Sequence, residues 1–454
     1  MNPKYFVLPS HIGASQVITP KRSEQLLYNT ITGKKHSCNT AVFAFLQLAT
    51  GEKPLQEIAI QLSVQSGEST TEIWPNLLSL TEKMVADGLL MVSDSPYPYR
   101  PPPPSVNLIH RLESISFETT HKCNLRCKHC YADANTQRDN ELTVPEIKKL
   151  IDQSAGMGVL SIIFSGGEPL LHPHIFELME YARKKPLSVL LFTNGTLITE
   201  KVVKNLKKLQ VYRVNVSVDG PDAETHDHFR GVKRSFEKTI KGITLLKKAN
   251  IPVDASISIT KYNYTKIPEI LQLLKELHIN EYKMWPITYS GRPEKEDFFV
   301  TCEEFRHAMK ADRKFEIENK EEKKEEFYYT TEIANCGIGV GSLTIKSNGV
   351  VVPCPMFTQE DSLGNIREDT IIDIWNNAPL LKKVRSMSVF ETEPCKTCEF
   401  AAVCKGGCIG DIYKRTGEFS CYDPYVCIGF EVCKNDFVPV KVEEGSPSLS
   451  VEMV

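Results

Sequence analysis

Between residues 112 and 291, runs rich in β-branched and aromatic residues alternate with helical repeats, and this alternation restricts the fold more than any other feature of the 454-residue chain. Strands are expected at residues 115–118, 160–164, 189–192, 214–218, 253–259 and 281–285. Between them, Thr143-Val144-Pro145-Glu146 reads as a capping box ahead of Ile147, Leu150 and Ile151. Further apolar helix faces are traced by Ile198, Val202, Leu206 and Leu209, by Phe236, Ile240, Ile243 and Leu246, and by Ile267, Ile270, Leu271, Leu274 and Leu277. Six such units predict a parallel sheet covered by helices and curled toward a partial barrel. In that architecture the functional residues gather at the carboxyl ends of the strands.

Chemistry-bearing residues do fall at those ends. Strand one runs into Cys123-Asn124-Leu125-Arg126-Cys127-Lys128-His129-Cys130-Tyr131, which offers three thiols at C-x3-C-x2-C spacing. Three thiolates cannot complete a four-iron cube, so one iron is left for a non-protein ligand. Zinc is the competing reading, but it wants a fourth ligand at similar spacing, and only His121 and His129 lie nearby. Strand two ends in Ser165-Gly166-Gly167-Glu168-Pro169, where paired glycines let backbone approach a ligand closely. Strand three ends in Thr193-Asn194-Gly195, and strand four in Ser217-Val218-Asp219, whose two polar side chains share a face because strand periodicity is two.

These motifs resemble those of the radical S-adenosylmethionine (SAM) enzymes. The resemblance implies that Cys123, Cys127 and Cys130 hold a [4Fe-4S] cluster whose open iron is chelated by the amino and carboxylate groups of SAM, which is cleaved to a 5′-deoxyadenosyl radical. It also implies that Gly166, Gly167 and Glu168 hold the methionine amino group, and that Asn194 contacts SAM. Ser217 and Asp219 then lie on the ribose side, and Arg230 of His226-Asp227-His228-Phe229-Arg230-Gly231 meets the SAM carboxylate, a structural salt bridge being its alternative role. Tyr131 is expected to contact adenine through backbone or ring.

A second cysteine array begins at Cys336 and continues through Gly349-x4-Cys354, Cys395-x2-Cys398-x5-Cys404-x3-Cys408 and Cys427 in Asp423-Pro424-Tyr425-Val426-Cys427. This order closely resembles the SPASM domain, which carries two auxiliary [4Fe-4S] clusters. By that pattern Cys395, Cys398, Cys404 and Cys427 hold the outer cluster, and Cys336, Cys354 and Cys408 the inner one. The interval from Cys336 to Cys354 lacks the extra cysteine of some relatives, so the inner cluster is expected to keep an open iron able to take a substrate thiolate. Cys421 is the residue that would otherwise fill the gap or replace Cys427.

Upstream, residues 1–93 offer strand-like runs at 5–8 and 25–28, helices over 41–49, 55–62 and from the Ser69-Thr70-Thr71-Glu72 capping box to Met84, with Thr40 capping the first, and a strand at 89–92. They read as a winged-helix-like unit. The third helix carries Glu72, Glu82 and only Lys83, poor material for phosphate contacts, and in this context the unit resembles the PqqD-like peptide-recognition element. Its expected mode is β-augmentation by the leader of a precursor peptide. Residues 94–111, with Pro101-Pro102-Pro103-Pro104, are expected to be a semi-rigid linker, 292–335 a solvated charged helical connector with Cys302 a packed thiol, and 434–454 a flexible tail.

The expected architecture is therefore α/β: a partial (β/α)6 radical SAM barrel over 112–291, the peptide-recognition unit over 1–93, and a cysteine-rich SPASM domain over 336–433. With 54 basic against 57 acidic residues the net charge is −3, which gives no reason to expect nucleic acid as a partner. No apolar run nears the roughly 18 residues of a membrane span, no signal peptide is read at the start, and 14 cysteines suit a reducing cytoplasm. The expected activity is thioether formation in a ribosomally made precursor with a cysteine-bearing core, similar to sactisynthases and ranthipeptide synthases, with a reductant such as flavodoxin or ferredoxin. Other outcomes are a carbon–carbon link, epimerisation or sulfatase-type oxidation. A DNA-binding redox regulator is the reading from a different class.

Overall fold

The computed structural model describes residues 3–135, 138–292, 298–319, 328–329, 337–404, 406–433 and 449–450. The first unit runs β1 (Tyr5–Val7), β2 (Ile12–Ile18), β3 (Ser23–Asn29), β4 (Lys35–Ser37), α1 (Thr40–Leu48), β5 (Thr50–Pro54), α2 (Leu55–Ser66), α3 (Thr70–Ala86) and β6 (Met91–Ser93). Its core holds Phe6, Leu27, Phe43, Phe45, Leu46, Leu55, Ile58, Leu77 and Met84. The Ser69/Glu72 capping box starts α3, but α1 is capped by Asn39, whose side chain accepts from the Val42 N–H at 2.9 Å, and Thr40 is already helical. Strand β2 was not legible. Its Gly13-Ala14-Ser15 stretch has low strand propensity, yet the missing Cβ of Gly13 makes room for the Tyr28 ring across the ladder.

The proline-rich stretch is not a free spacer. Ser105–Asn107 forms β7, which extends the β4-β3-β2 sheet by pairing parallel to β2, and Pro104 O accepts from the Gln16 N–H at 2.9 Å. Prolines lack a donor but keep their carbonyls, so they can still dock along an edge strand that supplies the N–H groups.

The barrel follows: β8 (Ser114–Glu118), α4 (Val144–Gly156), β9 (Ser161–Ser165), α5 (Ile175–Arg183), β10 (Ser188–Thr193), α6 (Glu200–Leu209), β11 (Arg213–Ser217), α7 (Ala223–Arg230), α8 (Ser235–Lys248), β12 (Val253–Ile259), α9 (Ile267–Glu276) and β13 (Glu281–Pro286). The six strands are parallel and lie in chain order. Alternate residues explain the two faces. Ile115, Phe117, Ile162, Phe164, Val189, Leu191, Val214, Val216, Ala255 and Ile257 join the helix-covered core. Ser116, Ser165, Asn215, Ser217, Ser256, Ser258 and Lys283 stand on the opposite, polar face.

The sheet does not stop at six strands. After α10 (Cys302–Glu318) and a short β14 (Tyr328–Tyr329), β15 (Ser342–Ile345) pairs parallel to β8 with Ser342 opposite Ser114, and β16 (Val350–Val352) and β17 (Gly364–Asn365) follow antiparallel, giving nine strands. An open barrel leaves the β8 edge unpaired, and the C-terminal segment supplies its partner. Then come α11 (Ile371–Asn377), α12 (Pro379–Arg385), α13 (Ala401–Cys404), α14 (Ile409–Thr416), α15 (Pro424–Cys433) and β18 (Leu449–Ser450), the last paired with β14. The expected solvated connector also differs, since α10 buries Phe305 and Ala308 and ties to α15 through Arg306–Glu431. Cys302 is exposed, not packed. Residues 320–327 of the charged run and most of the expected tail lie outside the described residues.

The first unit is fastened to the amino-terminal ends of the barrel strands. Tyr28 OH donates to Pro186 O at 2.5 Å, Arg183 Nη1 to Thr30 Oγ1 at 2.9 Å, and Lys35 pairs with Glu113 at 2.7 Å. Gly158, before β9, has no Cβ because Ser15 fills that space. The unit therefore sits at the opposite end of the barrel from the cysteine loop.

Candidate active site

The cysteine loop hangs from the end of α7. The last carbonyls of a helix lack intrahelical partners, and here Arg230 O accepts from the Arg126 N–H at 3.0 Å and Phe229 O from the Lys128 N–H at 2.8 Å. Gly231, in left-handed conformation at φ 68°, caps the helix, and its missing Cβ admits Arg126 O. The loop brings Cys123, Cys127 and Cys130 within electrostatic reach of one another. N–H groups already point at sulfur: Leu125 N to Cys123 Sγ at 3.5 Å, Ala134 N to Cys130 Sγ at 3.4 Å, and Arg230 Nη1 to Cys127 Sγ at 3.7 Å.

Gly166 and Gly167 press against that loop. A Cβ on Gly167 would sit 2.4 Å from Lys122 O, and one on Gly166 2.5 Å from Thr120 O. Glu168 is wholly buried, and its carboxylate accepts from Thr193 Oγ1 (2.8 Å), Asn194 N (2.9 Å) and Leu170 N (3.1 Å). Burial pushes its pKa up to about 7 against the pull of those donors. The Glu168 side chain thus ties the loop after β9 to the end of β10. Asn194 donates to Asn124 Oδ1 at 3.0 Å, placing it beside the cysteine loop. Ser217 closes β11, half-buried.

Asp219, expected on the ribose side of SAM, is engaged by three protein groups. It is 1% exposed, and it meets Arg230 Nη2 at 2.6 Å, His129 Nε2 at 3.2 Å and the Ser258 N–H at 2.9 Å. The neighbouring guanidinium holds its carboxyl well below the usual range despite burial. Arg230 is therefore ion-paired and buried, yet its Nε has no partner among the described residues. That buried donor and the sulfur-directed N–H groups fit a thiolate-bound cluster carrying a ligand carboxylate. Tyr131 lies within electrostatic reach of Glu118, Cys130 and Cys354 and is hydrogen-bonded to Ser165, with burial raising its pKa.

Sequence reasoning missed the histidines behind this pair. His226 Nδ1 accepts from the Asp219 N–H at 3.3 Å, and burial lowers its pKa to about 4. The unfolded chain therefore binds a proton below about pH 6.5 that the folded chain refuses, so stability present above that pH is lost as pH falls toward 4. In urea titrations of the cluster-free chain, wild type should lose about 2 kcal/mol more than His226→Asn between pH 7 and pH 5. Equal losses would mean that His226 is not held neutral.

In the C-terminal part, Cys395, Cys398, Cys404 and Cys427 fall within electrostatic reach of one another. Cys354 and Cys408 lie on segments that pack together: Cys408 Sγ is 3.6 Å from Met356 Sδ, and a Cβ on Gly410 would be 3.3 Å from Cys354 Sγ. Cys336 lies outside the described residues. Cys421 is buried in a core with Ile338, Val352, Phe357 and Ile409, and its carbonyl accepts from the Gly407 N–H at 2.8 Å. No described helix is long and apolar enough to cross a membrane.

Comparison with known proteins agrees with this geometry. The Radical SAM superfamily matches residues 117–275, and the SPASM iron–sulfur cluster-binding domain residues 336–399. An AdoMet-dependent heme synthase of Methanosarcina barkeri is 35% identical over 341 residues, spanning 69% of this chain and 95% of that protein. The subtilosin biosynthesis protein AlbA of Bacillus subtilis is 33% identical over 304 residues, spanning 64% of this chain and 66% of that protein. Among solved structures, Streptococcus suis SuiB bound to its precursor peptide SuiA superposes with a TM-score of 0.66 at 16% identity, covering 92% of this chain and 99% of that one.

Proposed function

The chain belongs to the radical SAM superfamily and carries a SPASM iron–sulfur domain, and from that premise we propose that it installs thioether links between a cysteine sulfur and a carbon of a ribosomally made precursor peptide. When bound, three [4Fe-4S] clusters and SAM supply a deoxyadenosyl radical able to take hydrogen from an unactivated carbon. The protein's part is placement. Asp219, itself paired with His129, holds Arg230, whose unpartnered Nε would be a donor for a SAM carboxylate, while the missing Cβ atoms of Gly166 and Gly167 let their loop pack directly on the backbone that enters the cysteine loop. Tyr131 lies within electrostatic reach of both Cys130 and Cys354, so a cluster held by Cys354 would be near the three-cysteine loop, where a bound substrate cysteine could be presented to the radical chemistry.

The observation that carries the peptide reading is the folded unit of residues 5–107. It is anchored at the far end of the barrel, with β6 on a sheet edge and Met91 and Val92 of that strand exposed. An extended leader paired there reaches the cysteines only by spanning the barrel wall, about 20 Å for a six-residue strand such as β10. At about 3.3 Å per residue the spacer between leader and linked cysteine must exceed about six residues. Anaerobic incubation of a neighbouring cysteine-bearing precursor with enzyme, SAM and reductant should remove about two mass units per link and block the cysteine to alkylation. Precursors with shorter spacers should stay unmodified.

A second reading is favoured by the 35% identity to the heme synthase. It predicts turnover of an iron tetrapyrrole and no use for residues 5–107. Conversion of a tetrapyrrole by the chain, with no mass change in any precursor peptide, would overturn the thioether proposal, whereas a two-unit loss with the cysteine still open to alkylation would point to a carbon–carbon link or oxidation.

A further inference from the structure

Glu118 closes β8 five positions before Cys123, and Lys346 follows β15 eight positions before Cys354. Register places them side by side, since Ile345 pairs with Phe117. Both side chains are almost wholly buried, at 4% and 6% exposure, and Lys346 Nζ donates to Glu118 Oε1 at 2.8 Å and to Pro355 O at 3.2 Å. One ammonium thus joins the strand that delivers the first cysteine loop to the backbone immediately after Cys354. A buried ion pair is a poor device for stability alone, because well-packed apolar side chains of similar size serve as well or better. What it supplies is direction: two donors fixed along set lines.

We propose that Lys346 is a positioning residue that holds the Cys354 turn against the three-cysteine strand and so keeps the inner auxiliary cluster in place beside the SAM site. The inference rests on the reading of Cys354 as a ligand of that cluster. Glu118 accepts from Lys346 Nζ and so orients it, while the bond to the Cys354 turn is made by Lys346. Lysine at 346 is needed as a donor to Pro355 O, which a carboxylate cannot be. Groups that orient metal-bearing segments change metal retention by roughly 10- to 100-fold when removed.

The test uses full-length protein in which Cys123, Cys127 and Cys130 are all alanine, so that only auxiliary iron remains. Lys346→Met in this background should lose iron to a ferrous chelator at least about tenfold faster, and amide hydrogen exchange at Cys354, Met356 and Phe357 should quicken while exchange in β10 to β12 stays unchanged. Lys346→Arg should restore both, whereas the swap Glu118→Lys with Lys346→Glu should not, because it rebuilds the ion pair without a donor to Pro355 O. Lys346→Met with wild-type iron loss and exchange would overturn the proposal, as would full rescue by the swap. If Lys346→Met unfolds, Lys346→Arg and the swap still decide it by the same two readouts. Cys354→Ala in the same background separates the underlying reading: unchanged iron content there would refute the ligand role and not merely the positioning one.

Discussion

Cys354→Ala is expected to keep cleaving SAM within a few-fold of wild type while cross-linked peptide falls by at least about a hundredfold. The cysteine makes none of the contacts that join Arg230 to Asp219 or pack Gly166 and Gly167 on the cysteine loop, so its loss should leave that arrangement intact. On the proposed assignment it removes one thiolate of the inner cluster, and iron should then drop from about twelve toward about eight per chain. Deoxyadenosine then accumulates without product. Unimpaired cross-linking in this variant, measured by mass spectrometry with deoxyadenosine quantified in parallel, would exclude sulfur docking at the inner cluster.

Gly167→Ala should act at the other end of the same chemistry. The added methyl would lie 2.4 Å from Lys122 O and 2.7 Å from His121 O, both backbone atoms of the segment entering the cysteine loop, so one loop must shift by roughly 1 Å. A displacement of that size at reacting groups costs on the order of a hundredfold in rate. SAM cleavage should fall accordingly, while circular dichroism of the variant stays that of the wild type. Gly156→Ala, where nothing lies within 4 Å, should leave the rate unchanged. Equal rates for wild type and Gly167→Ala would mean that the glycine pair is not pressed against the cysteine loop in the working enzyme.

Much of the barrel was legible because its signals are local. Two-residue alternation in β8 to β13 and helical stripes such as Ile267, Ile270, Leu271 and Leu274 specify elements that tertiary packing then keeps. Helix α7 escaped because Ala223–Arg230 buries Phe229 as its one large apolar side chain, leaving no stripe to see. The β15–β8 pairing joins residues more than two hundred positions apart, which no local pattern records. Site residues divided the same way. Cysteines and glycines stand out by spacing, but nothing in the order of letters tells that Asp219 pairs with Arg230 and His129, since that depends on which strand ends meet.

The shared ladder between β8 and β15 has an evolutionary consequence. The two halves share one continuous backbone ladder in addition to side-chain contacts such as Lys346–Glu118, so neither can be exchanged as a cassette without leaving the other with a raw, aggregation-prone border. Diversification in such a chain is then channelled into what lies outside that seam: the loops at the carboxyl ends of the strands and the amino-terminal unit at the opposite end.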